Sequence, residues 1–169
     1  MSRPGHNEAA QSYFKYIDRI PEDDVVSVFR TQLEEIPTFL SGISEEKSLH
    51  RYAPEKWSIR EVLKHVSDTE RAFAFRALGF GRGFNDRLPS FDQNVAADGA
   101  RADEYPWADH LTDFRQVRGA TLTFFQSLPS EAWNRGGVAS GNFVTVNALA
   151  YSIAGHLSHH IAILRERYL

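Results

Sequence analysis

The sequence predicts an all-α fold, a bundle of four long helices. Three observations point to it. Four separate segments place their apolar residues three or four positions apart, alternation of β-branched residues is too sparse for a sheet, and the connections are short or rich in turn residues. Four amphipathic helices in about 150 residues bury their stripes against one another, which is bundle architecture. A chain of 169 residues reaches a substantial core without covalent staples, and this one has no cysteine. That excludes disulfide scaffolds, zinc fingers, thiol nucleophiles and cysteine-bound iron–sulfur clusters, so any metal must sit on imidazole and carboxylate.

Residues 1–23 read as an N-terminal extension and 24–169 as a single domain. The first helix is expected from about Asp24 to Leu40, with Val25, Val28, Phe29, Leu33, Ile36 and Leu40 on one stripe. Pro37 falls in its last turn, and Gly42 is a plausible stop. Ser58-Ile59-Arg60-Glu61 fits a capping box and opens the second helix, with Trp57 placed to staple onto its first turns. Ile59, Val62, Leu63, Val66, Phe73 and Ala77 carry that stripe to Gly79-Phe80-Gly81-Arg82-Gly83. Those glycines follow a helix and so mark a C-terminal stop, whereas a phosphate-cradling loop would precede one.

The pattern lapses from Asn85 to Tyr105, a length of loop that is often functional. The third helix spans about Trp107 to Leu128, through Leu111, Phe114, Val117, Leu122 and Phe125. Residues 135–141 have hairpin or loop chemistry. The fourth helix runs from near Thr145 to about Tyr168, with Val146, Leu149, Ile153, Leu157, Ile161 and Leu164 on its buried side.

A net charge of −3 supplies no global positive field, which argues against nucleic acid as a partner. The opening residues MSRPGHNEAA lack the apolar core of a signal peptide, and no stretch approaches the roughly 20 apolar residues of a membrane span. A soluble cytoplasmic protein is the expectation.

Of seven histidines, His156 and His160 stand four apart on the fourth helix, on the face that carries Leu149 and Ile153. Two imidazoles at this spacing can chelate one divalent cation, with a third donor from a neighbouring helix. His65, beside the stripe of Val62, Val66 and Thr69, is the natural third ligand, since bundle cores assemble metal sites from facing helices. An all-imidazole set favours Zn²⁺ or Ni²⁺ over Fe²⁺ or Mn²⁺. A lone histidine on an apolar face ordinarily packs in the core with one nitrogen hydrogen-bonded to a carbonyl; the pair and the third histidine are what raise the metal reading. Position 157 is leucine, so the His-Glu-x-x-His protease arrangement is absent. His159 projects off the line of the pair and reads as a supporting residue, and His6, His50 and His110 as exposed. Glu70 points away toward surface pairs, while Asp68 and Asp92 are candidate carboxylates for proton transfer, against a surface salt bridge and a turn.

The run Lys56-Trp57-Ser58-Ile59-Arg60-Glu61-Val62-Leu63-Lys64-His65-Val66-Ser67-Asp68-Thr69-Glu70, then Phe91-Asp92-Gln93, and the close Ala154-Gly155-His156-Leu157-Ser158-His159-His160 through Tyr168 resemble the DinB-like superfamily with its YfiT-type metal-dependent hydrolases. The resemblance covers nearly the whole chain from about Asp24 onward. It implies a four-helix bundle of up-down-down-up connectivity, a divalent metal on His65, His156 and His160, and homodimers. It also implies, for some relatives, transfer of a low-molecular-weight thiol activated by the metal.

The expectation is therefore a divalent-metal-dependent enzyme acting on a small-molecule substrate, as a thiol-dependent transferase or a hydrolase. Without cysteine in the chain, the thiol would come from a diffusible cofactor or substrate. The alternatives are a non-catalytic metal-binding stress-response bundle and a bundle whose histidines serve only as core hydrogen-bond partners.

Overall fold

Three of the four long helices begin where a side chain caps them. Asp24 accepts from the backbone N–H groups of Val26 and Ser27 (3.1 and 3.3 Å) and opens α2, Val25–Ser41. Ser58 opens α4, Ile59–Gly81, through a complete capping box: its Oγ accepts from Glu61 N–H at 3.1 Å, and its own N–H donates to the Glu61 carboxylate at 2.7 Å. Thr145 accepts from Ala148 N–H at 3.0 Å and opens α7, Val146–Ile163, which a wider turn over Leu164–Tyr168 continues. The fourth, α6, spans Trp107–Gln126 after Pro106.

The computed structural model describes residues 2–169. Besides the long helices it contains α1 (Gln11–Ile17), a single turn α3 (Glu45–Ser48), α5 (Gln93–Ala100), and the strands β1 (Gly136–Ala139) and β2 (Asn142–Thr145). No helix among the described residues is long and apolar enough to cross a membrane.

Contacts between named residues fix the direction of each long helix. Gln32 bonds to Ser158, and Arg165 stacks on Phe39, so α2 and α7 run parallel. Leu40 meets Trp107 while Phe29 meets Phe125, which makes α2 and α6 antiparallel. Lys64 pairs with Asp113 and Glu70 with Arg118, so α4 and α6 are parallel. His65 faces His156 and Gly81 approaches Val146, so α4 and α7 are antiparallel. The order is up-down-down-up, with α2 and α4 on one diagonal and α6 and α7 on the other. Because α4 and α6 point the same way, the 25 residues from 82 to 106 must return along the bundle, which explains the long middle connection.

That connection is not structureless, contrary to the lapse of pattern over Asn85–Tyr105. It holds α5 and a 3-10 turn at Ala102–Glu104. Helix α5 has Ala97 as its one buried residue, so it carries no apolar stripe for a periodicity reading to detect. Of the glycines expected to stop α4, Gly79 and Gly81 lie inside its last turn and Gly83 ends it. Gly83 adopts φ +89°, its N–H donates to Phe80 O, and Phe84 N–H donates to Gly79 O, a Schellman closure.

The hairpin reading of 135–141 is met by β1 and β2, paired antiparallel with Ala139 opposite Asn142. Ser140 and Gly141 both have positive φ, as a two-residue primed turn requires. The hairpin ties down two distant segments: Thr145 N–H donates to Glu8 O, and Leu88 N–H to Val138 O, both at 2.9 Å. Within residues 1–23, α1 packs on α7 with Phe14 and Ile17 buried.

The core forms two apolar clusters. One gathers Phe29, Phe80, Phe125, Tyr151 and Ile153; the other Leu40, Leu63, Trp107, Phe114, Leu157 and Ile161. A polar layer crosses all four long helices. Arg118 Nη2 lies 2.8 Å from Glu70 Oε2, Arg118 Nη1 donates to Gln32 Oε1 at 2.8 Å, and Gln32 Nε2 donates to Ala154 O at 2.9 Å. Glu70 is thus a buried ion-pair partner rather than a surface residue: α6 runs beside α4 and closes that face of the helix.

Candidate metal centre

His65 from α4 and His156 and His160 from α7 converge where the two antiparallel helices face each other. Their Nε2 atoms lie 3.0 Å apart between His65 and His156, and 3.2 Å between His156 and His160. One ligand nitrogen from each lies within 4.8 Å of the others. Among the described residues this is a group of three imidazoles with no carboxylate in it. The i, i+4 spacing of His156 and His160 puts both on one face of α7, and the antiparallel packing brings His65 across to them.

The rings are held from outside. Trp57, just before the Ser58 cap, tilts against His65 with ring centroids 4.8 Å apart. Thr69, one turn after His65, places its hydroxyl 3.4 Å from His65 Nδ1. A proton on Nδ1 shared with that hydroxyl leaves the Nε2 lone pair turned inward. Tyr16 of α1 meets His156 edge-on at 5.0 Å.

Burial keeps the three rings neutral. It pushes His65 down to about 4 and His160 to about 3, and holds His156 well below the usual imidazole value, with the neighbouring imidazoles acting in the same direction on His156 and His160. Neutral rings with exposed lone pairs are what a cation needs. A three-nitrogen cap at metal–nitrogen distances of 2.0–2.1 Å spaces its donors roughly 3.0 Å apart at right angles and roughly 3.3 Å apart in a tetrahedron. The observed 3.0 and 3.2 Å fall in that range.

A cavity of about 240 Å³ opens onto His65 and His156, walled by Tyr13, Lys15, Tyr16, Thr69, Phe73 and Arg76 among others. Phe91 and Gln93 of the middle connection, and Ser140 and Asn142 of the hairpin, complete it. The ligand group therefore borders open space on one side and packed rings on the other.

The remaining sequence candidates lie elsewhere. Asp68 is in a half-buried ion-pair group with Lys64 (3.6 Å), Arg71 (3.1 Å) and, through both cations, Asp113. Asp92 caps α5 by accepting from Asn94 and Val95 N–H groups at 2.9 and 3.2 Å. Neither lines the cavity. His159 is half-buried beside Tyr16 and outside the ligand group. His6 and His50 are exposed, but His110 is buried with Nε2 2.8 Å from Ala102 O. The 3-10 turn covers it, which α6 periodicity alone could not reveal. Tyr16, Lys15 and Arg76 emerge as cavity residues with no prior signal, because neither the contact of α1 with α7 nor that of Arg76 with Pro89 and Ser140 leaves a trace in local sequence. Thr69 did carry one: it stands four residues after His65 on the same face.

A family model for the DinB superfamily matches residues 29–164. Among solved structures, the chain superposes on YfiT from Bacillus subtilis, described as "a probable metal-dependent hydrolase with an unusual four-helix bundle topology". That match has a TM-score of 0.63 at 16% identity and covers 96% of this chain and 91% of that one. No curated protein matches the sequence.

Proposed function

The chain belongs to the DinB superfamily, and from that membership and its histidine geometry we propose that it is a divalent-metal-dependent enzyme acting on a small molecule, as a thiol-dependent transferase or a hydrolase. The observation that carries the proposal is the convergence of three neutral imidazoles, two of which, His65 and His156, line a cavity. His65, His156 and His160 would hold the ion; when bound, a Zn²⁺- or Ni²⁺-type ion would lower the pKa of a coordinated water or exogenous thiol toward neutrality. The likeness to YfiT supports the same class, since that protein is described as "a probable metal-dependent hydrolase".

The chain's own residues prepare the site. Trp57 and Thr69 orient His65, Tyr16 packs edge-on against His156, and the cavity gives a reactant room beside His65 and His156. A non-catalytic module, in which the ion locks α4 to α7, needs no such cavity; it predicts a higher melting temperature with metal and no turnover on ester or thiol-acceptor panels. The homodimer implied by the family resemblance is tested by sedimentation.

Metal analysis of tag-free protein after reconstitution tests the reading. One divalent ion per chain is expected, lost in His65→Ala, His156→Ala or His160→Ala and largely kept in His159→Ala. Substoichiometric metal in the wild type contradicts it. Asp68→Asn and Asp92→Asn test the carboxylate part: lost turnover at unchanged metal content assigns a proton-transfer role, and unchanged turnover confines them to the ion pairs and the cap.

A further inference from the structure

Three arginines are buried among the described residues: Arg60, Arg76 and Arg118. Arg60 is paired with Glu45, and Arg118 with Glu70. Arg76, only 5% exposed, has no carboxylate within 4.0 Å among the described residues. Its Nη2 donates instead to Pro89 O and Ser140 Oγ, both at 2.9 Å. Those neutral acceptors, from the middle connection and the hairpin turn, fix the guanidinium in place without balancing its charge. Phe73 packs beside it, the guanidinium carbon 5.6 Å from the ring centre. A buried cation without a counter-charge is expensive unless an anion completes it.

Arg76 lines the same cavity as His65 and His156, as does a second cation, Lys15. Along α4, Arg76 stands eleven residues after His65, about 16 Å in axial rise, so the two mark opposite ends of the space. The Tyr13 hydroxyl shares the Arg76 end: burial raises its pKa, and the guanidinium charge opposes that rise.

We infer that the cavity takes a small molecule bearing a carboxylate, which Arg76 binds with Lys15 in support, while Phe73 packs the molecule's apolar part. With Nη2 committed to Pro89 and Ser140, Nη1 is left to donate a charge-assisted hydrogen bond to a carboxylate, which makes Arg76 the specificity-determining residue. The reactive end of that molecule rests on the proposed function; its anionic end rests on Arg76 alone.

Calorimetric titration of zinc-loaded and chelator-treated protein with phenylacetate and with phenylacetamide separates the two. Phenylacetate should bind both forms at least tenfold more tightly than phenylacetamide. Arg76→Gln should remove that preference and Arg76→Lys restore part of it, with zinc content unchanged in both variants. Equal binding of acid and amide by the wild type, or no binding of the acid, overturns the inference without recourse to any variant. So does a preference that survives Arg76→Gln, or one that requires zinc and ignores Arg76, which would place the carboxylate on the ion. A preserved, Arg76-dependent preference in a protein that fails to hold zinc would overturn the metal reading and leave this one standing.

Discussion

His65 and His160 are imidazoles whose burial has a consequence for stability. Their pKa values stand at about 4 and about 3, against the ordinary 6.5 expected in the unfolded chain. Between those values and 6.5 the unfolded chain binds protons that the folded chain does not. Stability of metal-free protein should therefore be unaffected by these groups above pH 6.5 and fall as pH drops through 6 and 5 toward 4. Melting temperatures of chelator-treated protein across pH 7.5 to 4 measure this, and the double variant His65→Ala/His160→Ala should make the profile shallower, with buried His156 keeping part of the slope. At this scale the sequence was most legible where geometry is local. His156 and His160 announce themselves by four-residue spacing, and His65 follows from the rule that bundle sites draw on facing helices. Trp57 was visible as a staple, yet its ring meets His65, a contact set by how the chain enters α4. Arg76 and Tyr16 were silent, because nothing in a lone basic or aromatic residue records which loop or helix will face it.

Helices with strong caps and stripes were readable to within a few residues: the capping box of α4, the Gly83 stop and the hairpin all fall where side-chain chemistry demands. Short elements defined by tertiary contact were not. Helix α1 lies against α7 at Gly155, where a Cβ would sit 2.0 Å from the Tyr16 carbonyl oxygen. The glycine thus permits the approach that brings Tyr16 to His156 and Lys15 to the cavity. Gly155→Ala is expected to destabilise the protein by about 1–3 kcal/mol through displacement of α1, measured by urea unfolding. It should also speed proteolysis within residues 1–23, a readout that general loss of helix propensity would not produce, since alanine favours a helix.

The whole molecule is a bundle whose core is cut by a buried ionic layer. Removing one partner leaves the other charged and unmatched, so Arg118→Met should cost about 3–5 kcal/mol in denaturant unfolding. Adding Glu70→Leu to it should recover most of that loss, because the pair is then replaced by apolar packing. Neither substitution touches the histidines. The up-down-down-up order was legible only through family resemblance; periodicity gives helices but not their directions, which the cross-helix pairs settle. The central claim, that this fold holds an ion on three imidazoles beside open space, is met most directly by X-ray absorption at the metal edge of zinc-loaded, tag-free protein. The account predicts three imidazole nitrogens at about 2.0–2.1 Å with one further light-atom donor from solvent. Fewer than three imidazoles, or a closed shell of four protein ligands, would contradict it.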